Sequence, residues 1–326
     1  MARAQEEIDE TSGLPRIGIG ESGFEHLSDP TNVQFSMLKF SYEAAAMPIG
    51  DLLDSRSHSA VIKTRRANIK ETKMARFVLV HGAFAGAWIW GSLMDRLKTA
   101  GHSVEAFDLP GLGDDRTPAS EITLDTCAAR LCEVMEKSSE PAIVVGNSMG
   151  GIVATQGAAR RPDRVAALVY VAAFIPKDGQ SLLDLTRLPE GADDQVQANI
   201  VIEGEPPIAT MPAGASRQAL YGSCAQDVAA WAIARQRPQP VEPFATPVSI
   251  PPGALDGISR YYVLCARDRA IPPALQRRMI AENPCAGVVE LDTDHTPQLS
   301  MTDELAKALY GFALHSFRPA GRYSTI

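Results

Sequence analysis

From Arg76 onward the chain alternates short apolar runs with helical ones, and this rhythm is what most limits how it can fold. The runs Phe77–Val80, Val104–Phe107, Ala142–Val145, Val165–Ala173, Tyr261–Cys265 and Val288–Leu291 have strand length and are rich in aliphatic side chains. Between them, Trp88–Thr99 and Leu124–Lys137 read as helices. Thr123 is placed to cap the second, and Cys127, Ala128, Leu131 and Val134 fall on one of its faces. Apolar strands connected through helices predict an α/β architecture, with a mostly parallel central sheet buried on both sides and flanked by helices.

Between residues 176 and 256 the rhythm gives way to Pro- and Gly-rich stretches, with helical patches at Arg217–Tyr221 and Cys224–Arg235. This segment is expected to be a cap inserted over the carboxyl edge of the sheet, the edge at which open α/β sheets bind ligands. The core is then residues 76–175 and 257–315. Residues 1–75 form an amino-terminal extension with scattered charge, Pro and Gly. Two readings of it stand open: Met74 is the natural start, or the segment is an arm packing on the body or on a neighbouring subunit.

Thirty-one Lys and Arg against 39 Asp and Glu leave a net charge of -8, which repels phosphate backbones and anionic lipid. Neither nucleic acid nor a membrane is an expected partner. No apolar run approaches the roughly 20 residues of a bilayer span, and the first residues carry no apolar signal core, so a cytoplasmic location is expected. Cys127, Cys132, Cys224, Cys265 and Cys285 are odd in number and lack paired CxxC spacing, arguing against a disulfide framework or a zinc site. Neither a metal-ligand cluster nor a phosphate-cradling loop is apparent, and no cofactor is expected.

The most specific motif is Gly146-Asn147-Ser148-Met149-Gly150-Gly151, between an apolar strand and the helical stretch Ile152–Ala159. That context is a nucleophile elbow: the turn is so tight that small residues must flank a serine held in a strained backbone conformation with Oγ exposed. A serine hydroxyl is a weak nucleophile until an imidazole takes its proton, and the imidazole needs a carboxylate to fix its tautomer. His295, in the loop after the last predicted strand, suits the base. Asp268, ending the strand before, is the first choice for the acid, in the chain order Ser, Asp, His. Asp178 is its rival, whereas Asp292 and Asp294 lie too close to His295 in sequence. The backbone amides of Ala83 and Met149 occupy the positions of an oxyanion hole. Gly82 allows close backbone approach there, and His81 is read as ordering the loop rather than as a base.

Residues 76–312 resemble the plant methylesterase and hydroxynitrile lyase group of α/β-hydrolases, which includes bacterial pyrethroid-type esterases. The resemblance is carried by Val78-Leu-Val-His-Gly-Ala83 with Ala87-Trp88-Ile-Trp90, by Gly101-His-Ser-Val-Glu-Ala-Phe-Asp-Leu109, by Cys265-Ala-Arg-Asp-Arg-Ala-Ile-Pro272, and by Leu220-Tyr221-Gly-Ser-Cys224-Ala-Gln-Asp227 in the cap. It implies the α/β-hydrolase fold and a carboxylic ester hydrolase. Lyases of the group carry Thr after the oxyanion-loop His and Lys after the catalytic His, where this chain has Gly82 and Thr296, so ester hydrolysis is favoured over cyanohydrin cleavage. Asn147 departs from the His common before the serine, and the cap matches poorly outside its Tyr221 segment.

Trp88, Tyr221, Trp231 and Phe244, with Leu182 and Leu183, are candidates for an apolar substrate pocket. The expected substrate is a small apolar or aromatic ester, with xenobiotics within range. The alternatives are a hydroxynitrile lyase and a small-molecule receptor that binds without turnover. A homodimer is expected by analogy of fold alone.

Overall fold

The computed structural model describes residues 74–316. Six parallel strands form the central sheet: β1 (Arg76–Val80), β2 (Ser103–Ala106), β3 (Ala142–Ser148), β4 (Val165–Ala173), β8 (Ser259–Cys265) and β9 (Gly287–Leu291), in the order β2-β1-β3-β4-β8-β9. Successive side chains point to opposite faces, and in the inner strands both faces are covered. Phe77, Leu79, Ile143, Val145, Val169 and Val263 enter one hydrophobic cluster; Val78, Val80, Val144, Leu168, Tyr170 and Tyr262 enter the other. The uninterrupted apolar composition of these strands follows from that double burial. At the edge, β9 buries only alternate residues.

The helices Gly91–Thr99, Leu124–Glu136, Gly150–Arg160, Pro273–Glu282 and Thr302–Ser316 flank the sheet. The Thr123 hydroxyl accepts from the Thr126 amide 3.1 Å away and caps the Leu124 helix, as its position suggests. The strand order reverses around β1: its chain continues to β2 on one side, while β3 lies on the other. Such a switch point leaves a crevice outside the carboxyl ends of the strands. The two segments that open there are His81-Gly82-Ala83 after β1 and Ser148 at the end of β3.

Residues 176–256 contain a helix at Gln226–Ile233, inside the expected Cys224–Arg235 patch, a helix at Ala213–Ala219, which begins and ends earlier than the expected Arg217–Tyr221 patch, and a small antiparallel sheet of β5 (Val201–Glu203), β6 (Ile208–Thr210) and β7 (Gln239–Pro240). The sequence reading contains no strands here. Pieces of two or three residues are too short for an alternating pattern to register. The amino-terminal extension, with both readings of it, lies outside the described residues. Among the described residues no helix is long and apolar enough to cross a membrane.

Candidate active site

Ser148 sits on a forced turn. Its φ is +57°, in the left-handed region that side chains with a Cβ avoid. The elbow closes only because its neighbours lack side chains: a Cβ at Gly146 would lie 2.5 Å from the Gly150 carbonyl oxygen, and one at Gly150 would lie 2.5 Å from that of Val80. The strain is held by burial and by the β3–β4 pairing, whose register shifts at Asn147/Ser148. Gly82 makes a similar approach from the β1 side, where a Cβ would meet Ser148 Cβ at 2.7 Å and the Asn147 carbonyl oxygen at 3.1 Å. The threonine that lyases of the group carry at this position has no room against this elbow.

Asp268 and His295 are brought together from two loops. His295 Nδ1 lies 2.9 Å from Asp268 Oδ2, with both side chains buried. The carboxylate is itself fixed: Oδ1 accepts from the amides of Ala270 at 2.8 Å and Ile271 at 2.9 Å, and Oδ2 also accepts from Gln276 Nε2 at 3.1 Å. Accepting on Nδ1's side, Asp268 assigns the Nδ1 proton and leaves Nε2 as the basic nitrogen. Burial opposes charging of His295, but the Asp268 carboxylate, by charge and hydrogen bond, with help from Asp294 and Asp194, raises its pKa above the usual 6.5. The rival acid, Asp178, is exposed and accepts from the Ile250 amide instead. Asp292 is exposed and pairs with Arg267.

His81 is fully buried, with Nδ1 2.8 Å from the Gly82 carbonyl and Nε2 accepting from the Leu109 amide at 3.0 Å. Burial lowers its pKa. Both ring nitrogens are spent on holding the loop that carries Gly82 and Ala83, so it is a brace. Among the described residues the Ala83 and Met149 amides donate to no acceptor, and Met149 stands at the amino end of the helix Gly150–Arg160. Both residues line one space, and Met149 brings the positive end of the helix dipole to it.

That space is a cavity between the sheet edge and the 176–256 segment. Gly82, Ala83, Ser148, Met149 and His295 line one side; Leu182, Leu183, Leu220, Tyr221, Val241 and Phe244 line the other. The placement of Trp88 and Trp231 corrects the sequence reading. Neither is among the lining residues: they pack edge to face, with ring centroids 5.1 Å apart, and Trp231 is 38% exposed beneath Arg235. An aromatic residue in a cap signals burial somewhere, not burial against a ligand.

Two features escape the sequence. Asp194 is a buried carboxylate on the cavity wall, with no local motif to mark it. Asn147 donates from Nδ2 to the carbonyls of Val171 at 2.9 Å and His295 at 3.3 Å, and accepts from Gln298 Nε2 at 3.1 Å. It thereby ties the elbow to the histidine loop. The motif Leu220–Asp227 gains a role as well, because Thr296 donates to the Leu220 carbonyl at 2.8 Å and the Ser223 amide to Asp294 Oδ2 at 2.7 Å. The segment Leu220–Ser223 is thus bonded to the residues on both sides of His295.

An elbow serine, a carboxylate-held imidazole and two free amides on one cavity define a hydrolase, and the family profile of the alpha/beta hydrolase family matches residues 77–308. The chain belongs to the alpha/beta hydrolase family. Within it the chain groups with the plant methylesterases. Methylesterase 7 of Arabidopsis thaliana is 33% identical over 73% of this chain and 96% of its own length. Salicylic acid-binding protein 2 of Nicotiana tabacum is 30% identical over 75% of this chain and 98% of its own. Among solved structures, a pyrethroid hydrolase from Sphingobium faniae JZ-2 aligns with a TM-score of 0.68 and 25% identity, covering 74% of this chain and 98% of that one.

Proposed function

We propose that the protein hydrolyses small apolar or aromatic carboxylic esters through Ser148, His295 and Asp268 by way of an acyl-enzyme. That it is a carboxylic ester hydrolase rests on its methylesterase relatives and on the pyrethroid hydrolase that shares its fold. The triad rests on one observation above the others: the 2.9 Å contact between Asp268 and His295 on the wall of the cavity that holds the strained serine.

In this reading Nε2 of His295 removes the Ser148 proton as Oγ attacks the ester carbonyl. The oxygen that becomes negative is received by the Ala83 and Met149 amides, which need not reorganise to do so. Asp268 stabilises the imidazolium, which then protonates the departing alcohol, and water repeats the sequence on the acyl-enzyme. Among the described hydrogen bonds none joins Ser148 to His295, and such a bond commonly tightens only when substrate is bound. The apolar cavity wall favours a hydrocarbon acyl or alcohol group. Thr296 is buried and committed to Leu220, so it brings no charge to a cyanide leaving group.

The test is hydrolysis of a graded panel of p-nitrophenyl, methyl and aryl esters by the wild type and by Ser148→Ala. Turnover confined to the wild type is expected. Turnover retained by Ser148→Ala removes the nucleophile assignment, and silence in both proteins turns the reading to a receptor.

A further inference from the structure

Asp194 is the one carboxylate among the described residues lining the cavity, and the mechanism above does not use it. It comes from the 176–256 segment and is 5% exposed. No ion pair reaches it among the described residues, although a buried carboxylate without a cation is costly to keep. Its two oxygens are unequally satisfied. Oδ1 accepts from the amides of Val196 at 2.7 Å and Gln197 at 3.0 Å, whereas Oδ2 has only Gln197 Nε2, at 3.3 Å. A carboxylate offers about four acceptor sites, so Oδ2 keeps capacity to spare.

Apart from Ser148 and His295, the other polar side chains on the cavity wall, Asn147, Thr186, Gln197, Tyr221 and Thr296, are uncharged. The Asn147 amide is bonded at both ends, the Thr186 and Thr296 hydroxyls donate to the Leu183 and Leu220 carbonyls, and the Tyr221 hydroxyl has Gln236 at 3.4 Å. Beyond the Ser148–His295 centre and the oxyanion amides, Asp194 Oδ2 is the strongest acceptor the cavity offers. The carboxylate is also close enough to His295 for each to bias the other's charge. Burial raises the Asp194 pKa against the pull of the Gln197 and Val196 amides.

We propose that Asp194 selects the substrate: the enzyme takes esters that carry a hydrogen-bond donor, a hydroxyl or an ammonium group, at a distance from the ester carbonyl, and discriminates against esters carrying a carboxylate there. This deepens the esterase reading and rests on it for the word ester. The recognition itself is independent of turnover. A donor reaching Oδ2 adds a charge-assisted hydrogen bond to a buried carboxylate. An anionic substituent meets a like charge that cannot be screened by water.

The experiment reads binding, so that failure of the chemistry and failure of the recognition are separable. In Ser148→Ala, calorimetry measures affinity for two series: methyl 3-phenylpropanoate and benzyl acetate, each with its ring 4-hydroxy, 4-aminomethyl and 4-carboxy analogue. In at least one series the donor-bearing member is expected to bind about tenfold tighter than its parent, and the carboxylate about tenfold weaker. The double variant Ser148→Ala/Asp194→Asn keeps an oxygen for the Val196 and Gln197 amides and removes the charge. There both ratios are expected to fall to within about twofold of one. Equal ratios in the two backgrounds overturn the proposal, as does a donor preference absent from both series. A uniform loss of affinity for every ligand also overturns it, because it marks Asp194 as a brace for its own loop. Loss of the esterase reading shows elsewhere, as wild-type protein that binds with the expected ratios and turns nothing over.

Discussion

His295 carries opposing demands. In the proposed mechanism it must be neutral to accept the Ser148 proton, yet against the downward pull of burial the Asp268, Asp294 and Asp194 carboxylates leave its pKa raised. The rate is therefore expected to climb with pH through a midpoint above 6.5. The stability linkage runs the other way. A group whose folded pKa exceeds its unfolded value contributes stability that is fully present below the unfolded value and is lost as pH rises through the folded one. The His295 contribution to stability thus fades across the window in which activity appears. Asp268→Asn removes the largest source of the upward shift and the tautomer control. It is expected to lower kcat by about 10^3- to 10^4-fold and to move the midpoint of the kcat/KM profile to lower pH. An unchanged profile in that variant would free His295 from Asp268. The positions proposed for the triad stand out in the sequence because each follows an apolar run, so that strand ends place them on one edge. Asp194 and Asn147 do not: their roles depend on which distant backbone they meet, and nothing within a few residues of either encodes that.

At the scale of elements, the site is held together by the junction between the histidine loop and the cap segment Leu220–Cys224. Thr296 donates to the Leu220 carbonyl, and its hydroxyl lies 3.6 Å from Cys224 Sγ; Asp294 takes the Ser223 amide, with Ser300 Oγ at 3.2 Å from its other oxygen. The contacts to Leu220, Ser223 and Cys224 cross-link two segments about 70 residues apart that the sheet alone would not hold in register, and Ser300 steadies Asp294 from within its own loop. Thr296→Val preserves shape and leaves the buried Leu220 carbonyl without its donor. The expected cost is about 1–3 kcal/mol of stability, read as a lower denaturation midpoint with an unchanged m-value. KM is expected to rise more than kcat falls, since the cap wall moves while the triad stays. A variant with the wild-type midpoint would show that the junction contributes nothing. The core strands were readable because double burial makes them continuous apolar runs. The cap's sheet was not, since β5 exposes Val201 and Ile202 and is paired through only three residues. Trp88 and Trp231 were misplaced for a related reason, as an aromatic ring can be buried against another ring as readily as against a ligand.

The whole molecule raises the question of what the first residues add. The described residues 74–316 already contain both hydrophobic clusters, one on each face of the sheet, and a cavity lined by Ser148, His295 and the 176–256 segment. β1 begins at Arg76 and lies inside the sheet, paired on one side with β2 and on the other with β3, so a chain starting at Met74 retains every strand of the sheet. Arg76 is anchored within this unit by hydrogen bonds to the carbonyls of Val134 and Met135 at 2.7 and 2.9 Å. A chain of residues 74–326 is therefore expected to fold, to melt within about 2 °C of the full chain, and to keep its kcat/KM on the best ester of the panel within about twofold, the margin of changes made away from a core. Its mass in solution, measured by light scattering, tests whether residues 1–75 reach a neighbouring subunit. An unchanged mass fits a natural start at Met74 or an arm confined to its own subunit. A full-length dimer that becomes a monomer on truncation assigns the segment to the subunit interface, and a truncated chain that fails to fold would make the extension part of the core.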